Sequence, residues 1–298
     1  MLYLSRVTWL GAVLIVTALI GVDVSARQAK LAQPPKSLRL YVFDCGVINV
    51  NRAGTERYKV TPEEVGETRF SVPCFLVAHP KGTLMWDLGI LPDETVEARA
   101  RGEQGNPTAT SAAVTTVPRT LASQLADLGY RPADITYFAF SHAHTDHNAN
   151  ANLFAGSTWL ARPAERAFMW EEGNTRVNRT FYDKIKDSKS ISLDKDEYDV
   201  FGDGSVILKA APGHSPGHQV MVLNLPKTGR IMIAGDLYHY PQERTLHRPP
   251  PDTEFSVQQS AASRVMIEEY LKNTKTEIWI SHDFVANAKL KKSPAYYE

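Results

Sequence analysis

The sequence predicts an α/β fold in one large domain, and three observations carry that prediction. Short apolar runs with strand character recur along the chain, punctuated by glycine, proline and asparagine. Segments with helical spacing are interleaved with them, which is the pattern of helices packed on sheets. After residue 37 no internal linker and no short-period repeat divides the chain. A length of 298 residues lies within what one α/β domain absorbs. Hydrophobic residues at 43% and charged residues at 22% are the balance of a soluble globular protein. The 33 Lys and Arg equal the 33 Asp and Glu, so no global field draws nucleic acid or an anionic membrane, and neither is expected as a partner.

Residues 1–26 read as an export signal rather than part of the fold. Arg6 supplies a positive start, Val7 to Val22 is apolar apart from Thr8 and Thr17, and Val24-Ser25-Ala26 supplies small residues for cleavage. The apolar run is short for a bilayer span. A periplasmic or secreted protein without stable membrane association after cleavage is therefore expected; an uncleaved N-terminal anchor is the alternative. Residues 27–37 form a leader into a domain over 38–298. Its first strand is Leu38 to Phe43. Residues 46–69 are polar, without clear periodicity. Phe70 to Ala78 and Thr83 to Trp86 form a hairpin around His79-Pro80-Lys81-Gly82, where His79 has only a turn role.

From Ile90 to Pro118 the chain shows no sheet pattern, and such an insertion is a candidate to overhang a substrate. A helix follows with Leu121, Leu125 and Leu128 on one face and Gly129 as its stop. Ile135 to Phe140 is a buried strand, Ser157 to Leu160 a short one, and Arg162 to Trp170 a helix opened by Pro163. Beyond the less regular 171–200 stretch come a strand over Ser205 to Ala210, a hairpin of Gln219 to Leu225 with Arg230 to Ala234, and a helix from Ser256 to Leu271. The helix carries an apolar stripe of Val257, Ala261, Val265 and Ile267. Glu277 to Ile280 is the last strand. Export permits a disulfide between Cys45 and Cys74, but their strand-like surroundings also fit buried thiols, and free thiols are the expectation.

The chemistry concentrates where strands stop. Ser141-His142-Ala143-His144-Thr145-Asp146-His147 follows the buried strand directly, packing three imidazoles and a carboxylate into six residues. Imidazole nitrogen suits zinc and its neighbours, carboxylate oxygen harder ions. His214, Asp236 and His282 end three further strands. Strand ends on one side of a sheet converge, so His142, His144 and His214 would face one ion. Asp146, His147 and His282 would face a second, and Asp236 has two oxygens with which to bridge them. Each ion would keep an open position for water.

These residues, with Phe43-Asp44-Cys45-Gly46, Trp86-Asp87-Leu88-Gly89 and Pro212-Gly213-His214-Ser215-Pro216-Gly217-His218, resemble the metallo-β-lactamase superfamily over essentially the whole mature chain. The likeness is greatest to the N-acyl-homoserine lactone lactonases. The resemblance implies a four-layer αββα (α+β) sandwich with two divalent ions, zinc by preference, between its sheets. Aspartate at the bridging position separates the chain from zinc β-lactamases, which carry cysteine or serine there. Glyoxalase II-like thioesterases share the ligands but typically add a C-terminal domain for which little chain remains. Two departures stand out. Where the lactonases place a tyrosine three residues after the bridging aspartate, this chain has His239, with Tyr238 one earlier. Asn148-Ala149-Asn150 replaces a glycine pair that often follows the motif.

The expected substrate is a small lactone, with another ester, a thioester or a phosphoester as the alternative; a homodimer stays open. A metal-bridging hydroxide would attack the lactone carbonyl. Asp146 would carry the proton to the leaving alkoxide, and Tyr238 or His239 would assist the carbonyl. Asp87 and His218 would orient ligands through hydrogen bonds.

Overall fold

The computed structural model describes residues 32–103 and 115–298. The expected signal segment 1–26 and the start of the leader lie outside the described residues. Among those described, no helix is long and apolar enough to cross a membrane.

The strands are β1 Arg39–Ile48, β2 Phe70–His79, β3 Gly82–Trp86, β4 Thr115–Thr116, β5 Tyr137–Ala139, β6 Thr158–Ala161, β7 Ser190–Ser192, β8 Glu197–Asp199, β9 Val206–Ala210, β10 Gln219–Leu225, β11 Gly229–Ile233, β12 Glu277–Trp279 and β13 Tyr296–Tyr297. The α-helices are α1 Arg52–Glu56, α2 Pro62–Val65, α3 Asp93–Ala100, α4 Leu121–Asp127, α5 Thr145–Asn148, α6 Pro163–Trp170, α7 Pro241–Thr245, α8 Val257–Thr274 and α9 Phe284–Asn287. One sheet runs β13-β1-β2-β3-β5-β6-β7, with β4 on β1; the other runs β12-β11-β10-β9-β8.

Three apolar layers stack these elements into the αββα sandwich. Between the sheets, Leu40, Val42, Phe75 and Trp86 meet Leu208, Met221 and Ile233. Outside the first sheet, Cys74, Leu76, Leu125, Trp159 and Met169 pack together. Outside the second, Ile267 and Leu271 of α8 cover Val220, Val222 and Met232. Successive side chains of a strand point to opposite faces. β2 is therefore buried on both, which is why its sequence is apolar at nearly every position.

Several segments depart from the sequence expectations. α1, α2 and α3 are short helices in stretches that show no periodicity, because four to eight residues cannot display one. α2 is set instead by a capping box between Thr61 and Glu64. In α8 the stripe is displaced: Val265 is 61% exposed, and the buried positions are Ser260, Ser263, Arg264, Ile267 and Leu271. Close approach decides this. A Cβ on Gly213 would lie 2.1 Å from the Ser260 amide nitrogen, so α8 presents small residues to the loop after β9.

Cys45 and Cys74 form a disulfide, which corrects the expectation of free thiols. The reason is strand register. β1 and β2 pair antiparallel with Phe43 opposite Cys74, and the register shifts between Asp44 and Val47. The bulge brings the two Cα atoms to 5.8 Å, within disulfide reach. Thiol titration of unfolded, unreduced protein should thus find no reactive thiol, and two thiols would contradict the bond. Replacing both cysteines by alanine should lower unfolding free energy by about 3 kcal/mol, read from urea denaturation.

Candidate metal centre

The strand ends bring the predicted donors to one place. β3 ends just before Asp87, β5 just before the His142–His147 segment, β9 before His214, β11 before Asp236 and β12 before His282. His144 immediately precedes α5, whose single turn carries Asp146 and His147. Gly235 has φ 53°, and a Cβ there would meet Ser141 Cβ at 2.6 Å and His218 Nε2 at 2.8 Å. Only glycine lets the chain enter the site beside those two residues.

Donor atoms of His142, His144, His214 and Asp236 lie within 4.8 Å of one another, as do those of Asp146, His147 and His282. His144 Nδ1 is 2.9 Å from His142 Nε2 and 3.0 Å from His214 Nε2. Asp236 faces both groups with different oxygens. Its Oδ2 lies 3.3 Å from His214 Nε2 and 3.7 Å from His142 Nε2, while its Oδ1 lies 3.1 Å from His147 Nε2 and 3.2 Å from His282 Nε2. Asp146 Oδ2 completes the second group at 3.5 Å from His147 and 3.4 Å from His282.

This arrangement fits two cations better than it fits a self-contained hydrogen-bond network. His147 Nε2 and Asp236 Oδ1 are buried and face each other, yet neither makes a properly directed hydrogen bond. Buried polar atoms without partners are rare, and soft nitrogen with carboxylate oxygen is the donor set of zinc. Burial pushes His142 well below the usual imidazole range and His144 down to about 3, each helped by neighbouring imidazoles. Both are therefore neutral, the form that binds metal. Burial also opposes charge on His147, but Asp236, Asp146 and Asp87 outweigh it and raise its pKa.

Hydrogen bonds from outside the cluster aim it. Asp87 Oδ2 lies 3.1 Å from His147 Nδ1, and its Oδ1 accepts from the Ser141 amide at 2.7 Å. His218 Nδ1 lies 2.9 Å from the Ala211 carbonyl, and its Nε2 accepts from the Asp236 amide at 3.0 Å. Both sequence-predicted residues thus lie within hydrogen-bonding reach of the donor cluster. Other supports escaped sequence reasoning. Glu254 holds His214 Nδ1 at 3.2 Å, and the Ser71 carbonyl holds His282 Nδ1 at 2.8 Å. Buried Glu165 accepts from the amides of Ala143 and Gly217 and from Ser215 Oγ, tying two ligand loops together. No local motif marks these residues, since each acts on a segment distant in sequence.

Tyr238 and His239 separate cleanly. Tyr238 points away from the donors, its hydroxyl donating to Glu268 at 3.1 Å and Arg264 lying over its ring. Its expected role in assisting a carbonyl is corrected, because in the turn after β11 its hydroxyl is taken up by Glu268. His239 faces inward, with Nε2 3.1 Å from Asp236 Oδ2 and its ring 4.0 Å from that of Tyr58. Buried Glu243 accepts from the His239 and Tyr240 amides and pairs with Arg264, which holds this turn. The donors open on a cleft of about 770 Å³ lined by Tyr58, Phe70, His144, Asp146 and His239, among others.

A pH dependence follows from Glu254. Burial pushes its carboxyl up, but the His214 hydrogen bond outweighs this and holds it at about 2, against an ordinary 4.5. A lowered folded value means stability that is present above about 4.5 and fades as pH falls toward about 2. Metal-free Glu254→Gln should therefore lose less stability than wild type across that window in urea titrations. Equal losses would contradict the assignment.

Comparison with known proteins agrees with this geometry. The sequence matches the Metallo-beta-lactamase superfamily over residues 68–272. The N-acyl homoserine lactonase AttM of Azorhizobium caulinodans is 27% identical over 266 residues, covering 88% of this chain and 99% of the relative. The N-acyl homoserine lactonase of Bacillus cereus is 23% identical, covering 87% and 98%. Among solved structures, an N-acyl homoserine lactone hydrolase with N-hexanoyl-L-homoserine at its catalytic metal centre superposes with TM-score 0.70 at 20% identity, covering 90% of this chain and all of that one. The dizinc quorum-quenching lactonase AidC superposes with TM-score 0.61 at 17% identity, covering 90% and 95%. A match over more than half its length, on the αββα frame with the histidine and aspartate cluster at the strand ends, makes this chain a member of the metallo-β-lactamase superfamily.

Proposed function

We propose that the chain is a metal-dependent hydrolase that opens the lactone ring of N-acyl homoserine lactones, acting outside the cytoplasm after removal of residues 1–26. The observation that carries the reading is the split of Asp236, one oxygen toward each of two donor groups. The lactonase relatives, matched over nearly their full lengths, support the substrate. His142, His144 and His214 would hold one divalent ion, and Asp146, His147 and His282 the other. Asp236 would be shared, and zinc is the ion the donor set favours. The chemistry such a pair supplies is a water made acidic enough to ionise near neutral pH and a polarised ester carbonyl.

The remaining work falls to the chain. Asp146 is the less buried of the two carboxylates, 17% exposed against 4% for Asp236, and lines the cleft. It is placed to take a proton from the attacking water and return it to the alkoxide that leaves. His239 also lines the cleft and is the neighbour able to donate a hydrogen bond to the carbonyl oxygen as charge develops. The product is the ring-opened hydroxy acid. Asp87, His218 and Glu254 keep the imidazoles aimed and so limit reorganisation.

Metal content and substitution kinetics test the reading. Metal analysis of residues 27–298 should find two divalent ions per chain, and chelation should abolish hydrolysis of an acyl-homoserine lactone. Asp236→Ala should retain at most one ion and lose activity by roughly a hundredfold or more; full activity with one ion would defeat the shared assignment. Tyr238→Phe should leave kcat within about twofold, because its phenol faces Glu268. His239→Phe should lower kcat by roughly ten- to a hundredfold. The reverse order of effects would exclude His239 as the donor.

A further inference from the structure

The lining of the cleft carries charge that the hydrolysis itself does not use. Arg57, which caps the end of α1, and Arg176, in the loop after α6, both line it. Most arginines in this protein are committed: they pair with carboxylates, donate to carbonyls or lie over aromatic rings. Among the described residues only Arg57, Arg99 and Arg176 have side chains with none of these contacts, and two of the three face the same opening. Asn49, Thr145 and Thr253 line the same cleft. Ile48, Val50 and Phe70 line the same cleft, so it offers apolar contact to a chain as well as guanidinium groups to its far end.

From this we infer that Arg57 and Arg176 form an anion-recognising rim, so that the preferred substrate carries a carboxylate or phosphate on the part remote from the bond that is cleaved. The inference deepens the proposed hydrolase reading and rests on it for the position of the cleaved bond. Guanidinium presents a planar fork that matches carboxylate and phosphate oxygens two at a time. With the whole chain at formal net charge zero, selection of an anion falls to local charges at the cleft. Both arginines are exposed, so each contact is worth little alone; together they give roughly a tenfold preference. Neither arginine pairs with the donors that would hold the ions, whose contacts are among themselves, and the pair therefore sets affinity rather than the rate of bond cleavage.

The test uses the metal-loaded protein and matched substrates differing only at the far end. These are hexanoyl-homoserine lactone, its analogue ending in a carboxylate (adipoyl), and one ending in a phosphate. Wild type should favour an anionic member by about tenfold in kcat/KM, chiefly through KM. The preference should shrink as salt is raised. In Arg57→Met/Arg176→Met the ratio should fall to about one. Equal rates on neutral and anionic members in wild type, or a preference that survives the double substitution, overturns the rim. The carboxylate and phosphate arms decide which anion it takes. If no lactone is cleaved, the proposed lactonase reading fails on its own. The rim is then read without turnover, by calorimetric titration of adipate against hexanoate on wild type and on the double variant. A wild-type advantage for adipate that the variant loses supports it, and no difference overturns it.

Discussion

Asp236 is buried among imidazoles, and the site depends on keeping it there. A carboxylate stripped of water costs several kcal/mol unless charge or hydrogen bonds replace the lost solvation. Burial would raise its pKa, but His282 and His147 outweigh that and hold the pKa well below the ordinary carboxylate range. Its backbone amide is fixed by His218, and the preceding Gly235 admits it to a gap that no side chain could share. Because its two oxygens point at different donor groups, any shift of this one residue disturbs both halves of the centre.

The scaffold answers that demand by placing the donors on loops and anchoring the loops with buried acids. Asp87 reaches from the end of β3 to His147, Glu165 spans from α6 to both ligand loops, and Glu254 holds His214. Glu243 and Arg264 pin the turn that carries His239. Each anchor is a buried charge whose own desolvation is offset by several hydrogen bonds. Two sheets packed back to back keep the strand ends from moving relative to one another. The rigidity lies in the sandwich, and the chemistry lies at its edge.

The lining of the cleft is mixed. It holds the donors, imidazoles and two carboxylates suited to cations. Beside them are aromatic rings, Tyr58 tilted against His239 and Phe70 stacked on His282. Burial raises the Tyr58 phenol well above its ordinary value, so it remains a neutral hydrogen-bond donor. Asn49, Asn51, Thr145, Thr253, Arg57 and Arg176 add amide, hydroxyl and guanidinium groups, and Ile48 and Val50 add apolar ones.

Sequence alone determined the α/β class, the strands that frame the site and the seven converging donors, because each of these has a local signature. An apolar run marks a strand, and His142-Ala143-His144-Thr145-Asp146-His147 is dense enough to stand out from chance. Even Asp87 and His218 were legible as orienting groups, since each follows a strand or shares a ligand loop. The tertiary structure decided what depends on pairing between distant segments. Register across a bulge joined Cys45 to Cys74, and close packing on Gly213 turned α8 so that Val265 faces solvent. The exit of the chain from β11 sent Tyr238 outward and His239 inward. Glu165, Glu243 and Glu254 are ordinary helix or loop acids until folding surrounds them with backbone amides, a histidine and an arginine. Periodicity records which face of an element is buried, but it carries no information about what lies opposite, and the hydrogen bonds that aim this site come from there.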